Sequence, residues 1–196
     1  MVHKFDPKNA AKLENPERLV EMPPQRLIEL LELSGSETIL DFGAGTGMYS
    51  LPIADAVPDG ELIAVDEQPE LLEMLRDKLA ANTPAGRVSI VANTDGRVPL
   101  DDAVAQRIFM INVFHHIHGD PAALAEVMRL LAPGGILLAA EFAQMERPFG
   151  PPNDHVLPLG ELRSALTLLG LHERGVYPPG EVGLYHNVVV AAKPQA

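Results

Sequence analysis

Seven acidic or glycine positions and a histidine cluster carry the chemistry of this sequence. Asp41 is followed by glycines at alternate positions, Gly43, Gly45 and Gly47. Glycine is needed where a backbone turns sharply or where a ligand comes too close for a Cβ. Asp66 lies 19 residues beyond the last of these glycines and ends a short apolar run, Glu61–Asp66. A carboxylate at the end of a second strand can accept hydrogen bonds from both hydroxyls of a ribose. Asp95 and Gly96 sit in the turn-forming string Asn-Thr-Asp-Gly after a third apolar run. His115, His116 and His118 follow Asn112 after a fourth apolar run, and an imidazole can take a proton near neutral pH. His115 is the preferred candidate for a base. The His115-x-x-His118 spacing also suits two metal ligands on a helix, but no third ligand is placed nearby, so no metal is expected.

These residues need a parallel sheet to bring them together. Strands are expected at Thr38–Phe42, Glu61–Asp66, Val88–Ala92, Arg107–Ile111 and Ile136–Glu141, each ending at or just before one of the polar positions. Helices are expected from Pro24 through the Leu27–Leu33 stripe, from about Met48 to Val57, from Pro69 to Ala81, from Pro121 to Leu131 and over Leu159–Leu168. Two further strands, Leu171–Tyr177 and Tyr185–Ala192, flank Pro178-Pro179-Gly180. The fold class is α/β: a three-layer sandwich around a mostly parallel seven-stranded sheet, with one antiparallel strand near the C-terminus. Ligands of such sheets bind beyond the carboxyl ends of the strands, where the first helical amides also point. Residues 142–157, rich in Pro and Gly, form a lid or substrate-loop candidate.

Composition narrows the partners. The 196 residues suit one domain, with 46% hydrophobic and 21% charged residues. A formal net charge of -12 disfavours nucleic acid and favours a small-molecule substrate. No apolar run is long enough for a membrane span, and the N-terminus has no apolar stretch of a secretory signal. The absence of Cys excludes disulfides and thiolate chemistry and fits a cytoplasmic enzyme.

The spacing D-x-G-x-G-x-G puts the third glycine at 47, where a dinucleotide-binding G-x-G-x-x-G would need one at Met48. With L-A-P-G-G at 131–135, this string resembles motif I of the class I S-adenosylmethionine-dependent methyltransferases, small-molecule type, along residues 25–192. The resemblance implies S-adenosylmethionine as cofactor, with Asp41, Gly43, Gly45 and Gly47 on its methionine side. It implies Asp66 and Glu67 on the ribose, Asp95 and Gly96 on the adenine, and Asn112 near the methionine end. It further implies methyl transfer to a small acceptor, quinone-like or another metabolite. Residues 1–24 read as an N-terminal arm, lying over the cofactor or forming a homodimer contact, ahead of a domain over residues 25–196. NVFH stands where amino-methylating DNA enzymes carry Asn/Asp-Pro-Pro-Tyr/Phe, which points away from that substrate. A cofactor-binding regulatory or scaffold protein without turnover keeps the same glycine loop. An NAD-dependent oxidoreductase shares the acidic strand end but not the glycine spacing.

Overall fold

A computed structural model describes residues 10–195. The strands are β1 (Thr38–Phe42), β2 (Glu61–Asp66), β3 (Arg87–Ala92), β4 (Ala105–Ile111), β5 (Leu131–Phe142), β6 (His172–Tyr177) and β7 (His186–Ala192). They form one sheet in the order β3-β2-β1-β4-β5-β7-β6. The first five are mutually parallel, and β7 runs antiparallel to both β5 and β6. This is the expected architecture, including the single reversed strand. Strand order changes direction between β1 and β4, which opens a crevice at their carboxyl ends.

The helices are α1 (Ala10–Leu13), α2 (Glu17–Glu21), α3 (Pro24–Leu30), α4 (Ser50–Ala54), α5 (Pro69–Ala81), α6 (Phe114–Ile117), α7 (Pro121–Leu130) and α8 (Leu159–Leu168). Both faces of the central strands are covered, so β1, β2 and β5 are largely apolar and buried, with Asp41, Asp66 and Glu141 as the carboxylates near their carboxyl ends. On one face Leu40, Ile108, Met110, Leu137 and Ala139 meet Phe114, Val127 and Leu162. On the other, Ile39, Leu62, Phe109 and Leu138 meet Met22, Leu27, Ile53 and Leu75. The arm therefore joins the core through Met22, which is fully buried. Its first nine residues lie outside the described residues.

Two expected elements change their bounds. The second expected helix does not run from Met48 to Val57. The chain turns through Met48 and Tyr49 and α4 is confined to Ser50–Ala54. The fifth strand is longer than Ile136–Glu141. L-A-P-G-G does not end the helix as a loop but enters β5 directly, with Leu131 paired to Ala105 and the Gly134 amide donating to Lys193 O. The 10–21 segment is helical with an interruption at Pro16, as the sequence predicts, because the proline ring cannot continue a helix. Residues 98–102, irregular in sequence, are held by one side chain: the Arg129 guanidinium donates to Val98 O, Leu100 O and the Asp102 and Glu126 carboxylates.

The turn that launches β1 is built on Glu37. Its carboxylate accepts from Ser34 Oγ and from the Ser34, Gly35 and Ser36 amides. Burial by itself raises the pKa, but the hydrogen bonds from Ser34 and its neighbours outweigh it and hold the carboxyl down to about 2, from an ordinary 4.5. A depressed folded pKa contributes stability that is present above about 4.5 and is lost as the pH falls towards 2. Glu37→Gln is expected to destabilise the fold by about 1–3 kcal/mol at pH 7. The difference from wild type should shrink as denaturation curves are repeated below pH 4.

Candidate functional site

The polar positions do converge on the carboxyl edge. β1 delivers Asp41 between Ala64 of β2 and Phe109 of β4. The chain then leaves the sheet through Gly43, Gly45 and Gly47, all at positive φ (83°, 56° and 76°). At Gly43 a Cβ would run into the Val113 side chain, and at Gly47 into Leu75 of α5. The alternate glycines are thus required by backbone sign and by close packing. The turn is tied to β2: the Gly43 and Ala44 amides donate to Val65 O, and the Gly45 amide donates to Asp66 Oδ2 at 2.8 Å.

Asp66 has two tasks. Its Oδ1 accepts from the Gln68 amide at 2.9 Å, closing the turn into α5. Its Oδ2 holds the glycine turn, and each oxygen keeps a further lone pair for a ligand. Burial raises its pKa despite the amides of Gln68 and Gly45. Asp41 is more enclosed still. It is 4% exposed, and Ser50 Oγ, from the first turn of α4, donates to it at 2.6 Å. Burial, only partly offset by Ser50 and reinforced by the nearby Asp66, pushes its pKa up to about 7. Ser50 was not evident as a site residue; its position nine residues after Asp41, opening a helix, is the only signal for it.

Glu67 is exposed beside Asp66. Asp95 and Gly96 are also exposed, at φ 54° and 79°, and form the corner of a tight turn closed by a Thr94–Arg97 bridge. Just before it, the buried Asn93 Oδ1 has no hydrogen-bond partner among the described residues. Asn112 ends β4 in the left-handed region, φ 58°, where Asn is tolerated better than most residues. Its Oδ1 lies 3.1 Å from His186 Nε2, and His186 Nδ1 lies 2.8 Å from Glu21 Oε1. Glu21 also accepts from the Tyr185 amide. His115 is the second residue of the short α6, with its Nδ1 2.7 Å from Glu141 Oε2, while its amide donates to Glu141 Oε1 at 3.2 Å. His118 Nδ1 turns back to His115 O.

The arm lies against the glycine turn. Glu14 Oε1 accepts from Thr46 Oγ1 and from Lys78 Nζ of α5, and the Tyr49 hydroxyl donates to Arg18 O at 3.0 Å. These contacts join residues 32 and 64 positions apart, beyond the reach of any local pattern.

A glycine turn with two enclosed carboxylates suits a ligand that carries a cation and a diol. A family model described as a methyltransferase domain matches residues 39–135, from β1 through the glycine pair in the first part of β5. A solved structure of an S-adenosylmethionine-dependent methyltransferase from Aquifex aeolicus superposes with a TM-score of 0.88 at 28% identity, covering 96% of this chain and 99% of that one. The chain belongs to the class I S-adenosylmethionine-dependent methyltransferases.

Among the curated relatives of this methyltransferase is the ubiquinone/menaquinone biosynthesis C-methyltransferase of Syntrophotalea carbinolica. It is 33% identical over 65% of this chain and 55% of the relative. The enzyme of that name from Bordetella avium is 32% identical over 61% and 48%. The chain spans about half the length of the curated relatives it matches. A phosphoethanolamine N-methyltransferase of Haemonchus contortus, solved in complex with S-adenosylmethionine, shares the fold with a TM-score of 0.72 at 13% identity, covering 95% of this chain and 56% of that one. S-adenosylmethionine is the cofactor of the family. The residues present fit it: a buried carboxylate raised to about 7 is stabilised by a nearby cation, and the donor carries two positive centres.

Asp41 gives a test that needs no ligand. A folded pKa raised above the unfolded 3.8 means the native state holds its proton more tightly, so this group's contribution falls as the pH rises from about 4 to about 7. Asp41→Asn keeps an acceptor for Ser50 and removes the buried charge. It should stabilise the cofactor-free protein at pH 8 by on the order of 2–4 kcal/mol and leave it almost unchanged at pH 4, measured as thermal midpoints.

Proposed function

We propose that this chain transfers a methyl group from S-adenosylmethionine to a small-molecule acceptor. The observation that carries the reading is the pairing of Asp41 and Asp66 across the glycine turn, with the Gly45 amide bonded to Asp66. The bound donor supplies a methyl group already activated on a sulfonium, so the protein must align and shield rather than activate it.

Each residue has a role on this reading. Asp41 faces the ammonium end directly or through water, and Gly43, Gly45 and Gly47 let the backbone approach the methionine moiety. Asp66 accepts from the ribose hydroxyls with Glu67 beside it. Asn93, Asp95 and Gly96 border the adenine; the unpaired Asn93 Oδ1 supports an addition to that set. Asn112, fixed by His186, borders the methionine end. His115, beyond β4, is the base for an acceptor that must lose a proton. Residues 10–24 cover the glycine turn as an arm in front of the domain that starts at α3, and the Glu14–Thr46 contact supports this.

The relatives' names support a quinone-type acceptor. No described helix is long and apolar enough to cross a membrane, and a cytoplasmic location suits a chain without Cys. Val20 on α2 and Leu184, whose amide donates to Glu21 O, are exposed and supply an apolar surface for a homodimer.

Calorimetry with S-adenosylhomocysteine tests the site. Wild type is expected to bind at micromolar concentration, and Asp66→Ala to bind at least tenfold more weakly through the loss of charge-assisted hydrogen bonds. Absence of binding at high micromolar ligand, or unchanged affinity in the variant, overturns the assignment.

A further inference from the structure

We infer that His115 and Glu141 form a proton-accepting pair, and that the acceptor is a molecule whose reacting group is a weakly acidic hydroxyl, phenol or enol in class. The inference rests on the methyl-transfer reading of the same site and names its substrate chemistry.

Glu141 is 2% exposed at the end of β5, paired in register with Asn187 of β7. Both of its oxygens face one residue: Oε2 the His115 ring at 2.7 Å, Oε1 the His115 amide at 3.2 Å. An ionised carboxylate only accepts hydrogen bonds, so the proton of a neutral ring sits on Nδ1. Nε2 then carries the lone pair. The ring is partly exposed, and His116 packs on it with centroids 3.9 Å apart, which restricts rotation. The carboxylate orients the imidazole and stabilises the imidazolium that forms, as in other acid–imidazole pairs.

This arrangement selects among acceptors. A carboxylate or a thiolate arrives already ionised and gains nothing from a base. An ammonium would need a free carboxylate, and Glu141 is committed to His115 by both oxygens. Arg147, just past β5, turns into its own loop: Nη1 donates to Ala143 O, Met145 O and Asn153 Oδ1, Nη2 to Pro151 O, and Nε is buried rather than presented to an anion. A neutral hydroxyl that keeps its proton at neutral pH is the group that a lone pair on Nε2 serves. In the step, Nε2 takes the hydroxyl proton and the electron pair released on the acceptor's oxygen, or on a carbon conjugated with it, bonds to the methyl carbon. The carbon–sulfur bond breaks with its pair on sulfur, and the imidazolium later loses its proton to water. Glu141 is a positioning residue; His115 is the catalytic one.

The experiment uses the full chain with S-adenosylmethionine and four probes: hydroquinone, catechol, 4-nitrophenol (largely ionised at pH 8) and aniline. Wild type should methylate hydroquinone or catechol in preference to aniline. His115→Ala should lose about 100-fold or more in turnover of those two and under tenfold with 4-nitrophenol. Added imidazole should restore part of the loss. Ring-nitrogen NMR should find the proton on His115 Nδ1 in wild type, with that signal altered in Glu141→Gln and Glu141→Leu. Turnover in Glu141→Gln should exceed that in Glu141→Leu, with S-adenosylhomocysteine binding unchanged in both. Equal losses on ionised and neutral phenols, no rescue by imidazole, a proton on Nε2, or turnover of aniline alone overturns the inference. So does wild-type protein that binds S-adenosylhomocysteine yet methylates no hydroxyl probe. Failure to bind S-adenosylhomocysteine overturns the methyl-transfer reading instead, and ring NMR still judges the pair.

Discussion

The amides of Gly43 and Ala44 end on Val65 O, and that of Gly45 ends on the Asp66 carboxylate. The turn after β1 therefore cannot shift without stripping hydrogen bonds from the end of β2, which burial makes expensive. Parallel pairing of β1 and β2 over five residues sets the height at which this happens. The glycines allow the bend, Leu75 and Val113 fill the space their missing side chains leave, and Asp66 fixes the distance between turn and strand. The position of the glycine turn beyond the carboxyl edge of the sheet follows from that one tie.

The site around it runs against ordinary folding preference. Asp41 and Asp66 are carboxylates taken out of water near each other, and burial moves both away from their usual titration range. Such groups cluster where function needs them, because nothing in packing alone favours them. Stability comes from elsewhere: from the two apolar layers on the sheet and from features such as the Glu37 turn, whose carboxyl is shifted in the opposite direction.

Sequence made the frame legible because its signals are local. The D-x-G-x-G-x-G string, the acid ending β2 and Pro69 opening α5 each depend on neighbours a few residues away, and α5 runs over the expected Pro69–Ala81. Boundaries failed where distant partners decide them. β5 begins five residues earlier than its apolar core because Leu131 finds Ala105 and Gly134 finds Lys193. The ties from Glu14 to Thr46, from Glu21 to His186 and from Glu141 to His115 span 26 to 165 positions, and no spacing rule encodes them. His115 was legible as an imidazole just beyond β4 and Glu141 as a carboxylate on the same rim; their 2.7 Å contact was not.

The contact of His186 with Glu21 and Asn112 has a consequence for the order in which the chain is made. Glu21 and Asn112 leave the ribosome long before residue 186, and until β7 arrives the Asn112 side chain lacks its imidazole and Glu21 lacks its ring partner. β7 also supplies the neighbour that β5 needs on its far side. The glycine turn and Asp66 can assemble early from sequence neighbours. The rim that carries Asn112 closes only when the last strand is in place, so a nascent chain acquires the glycine turn before the neighbouring edge of the cleft.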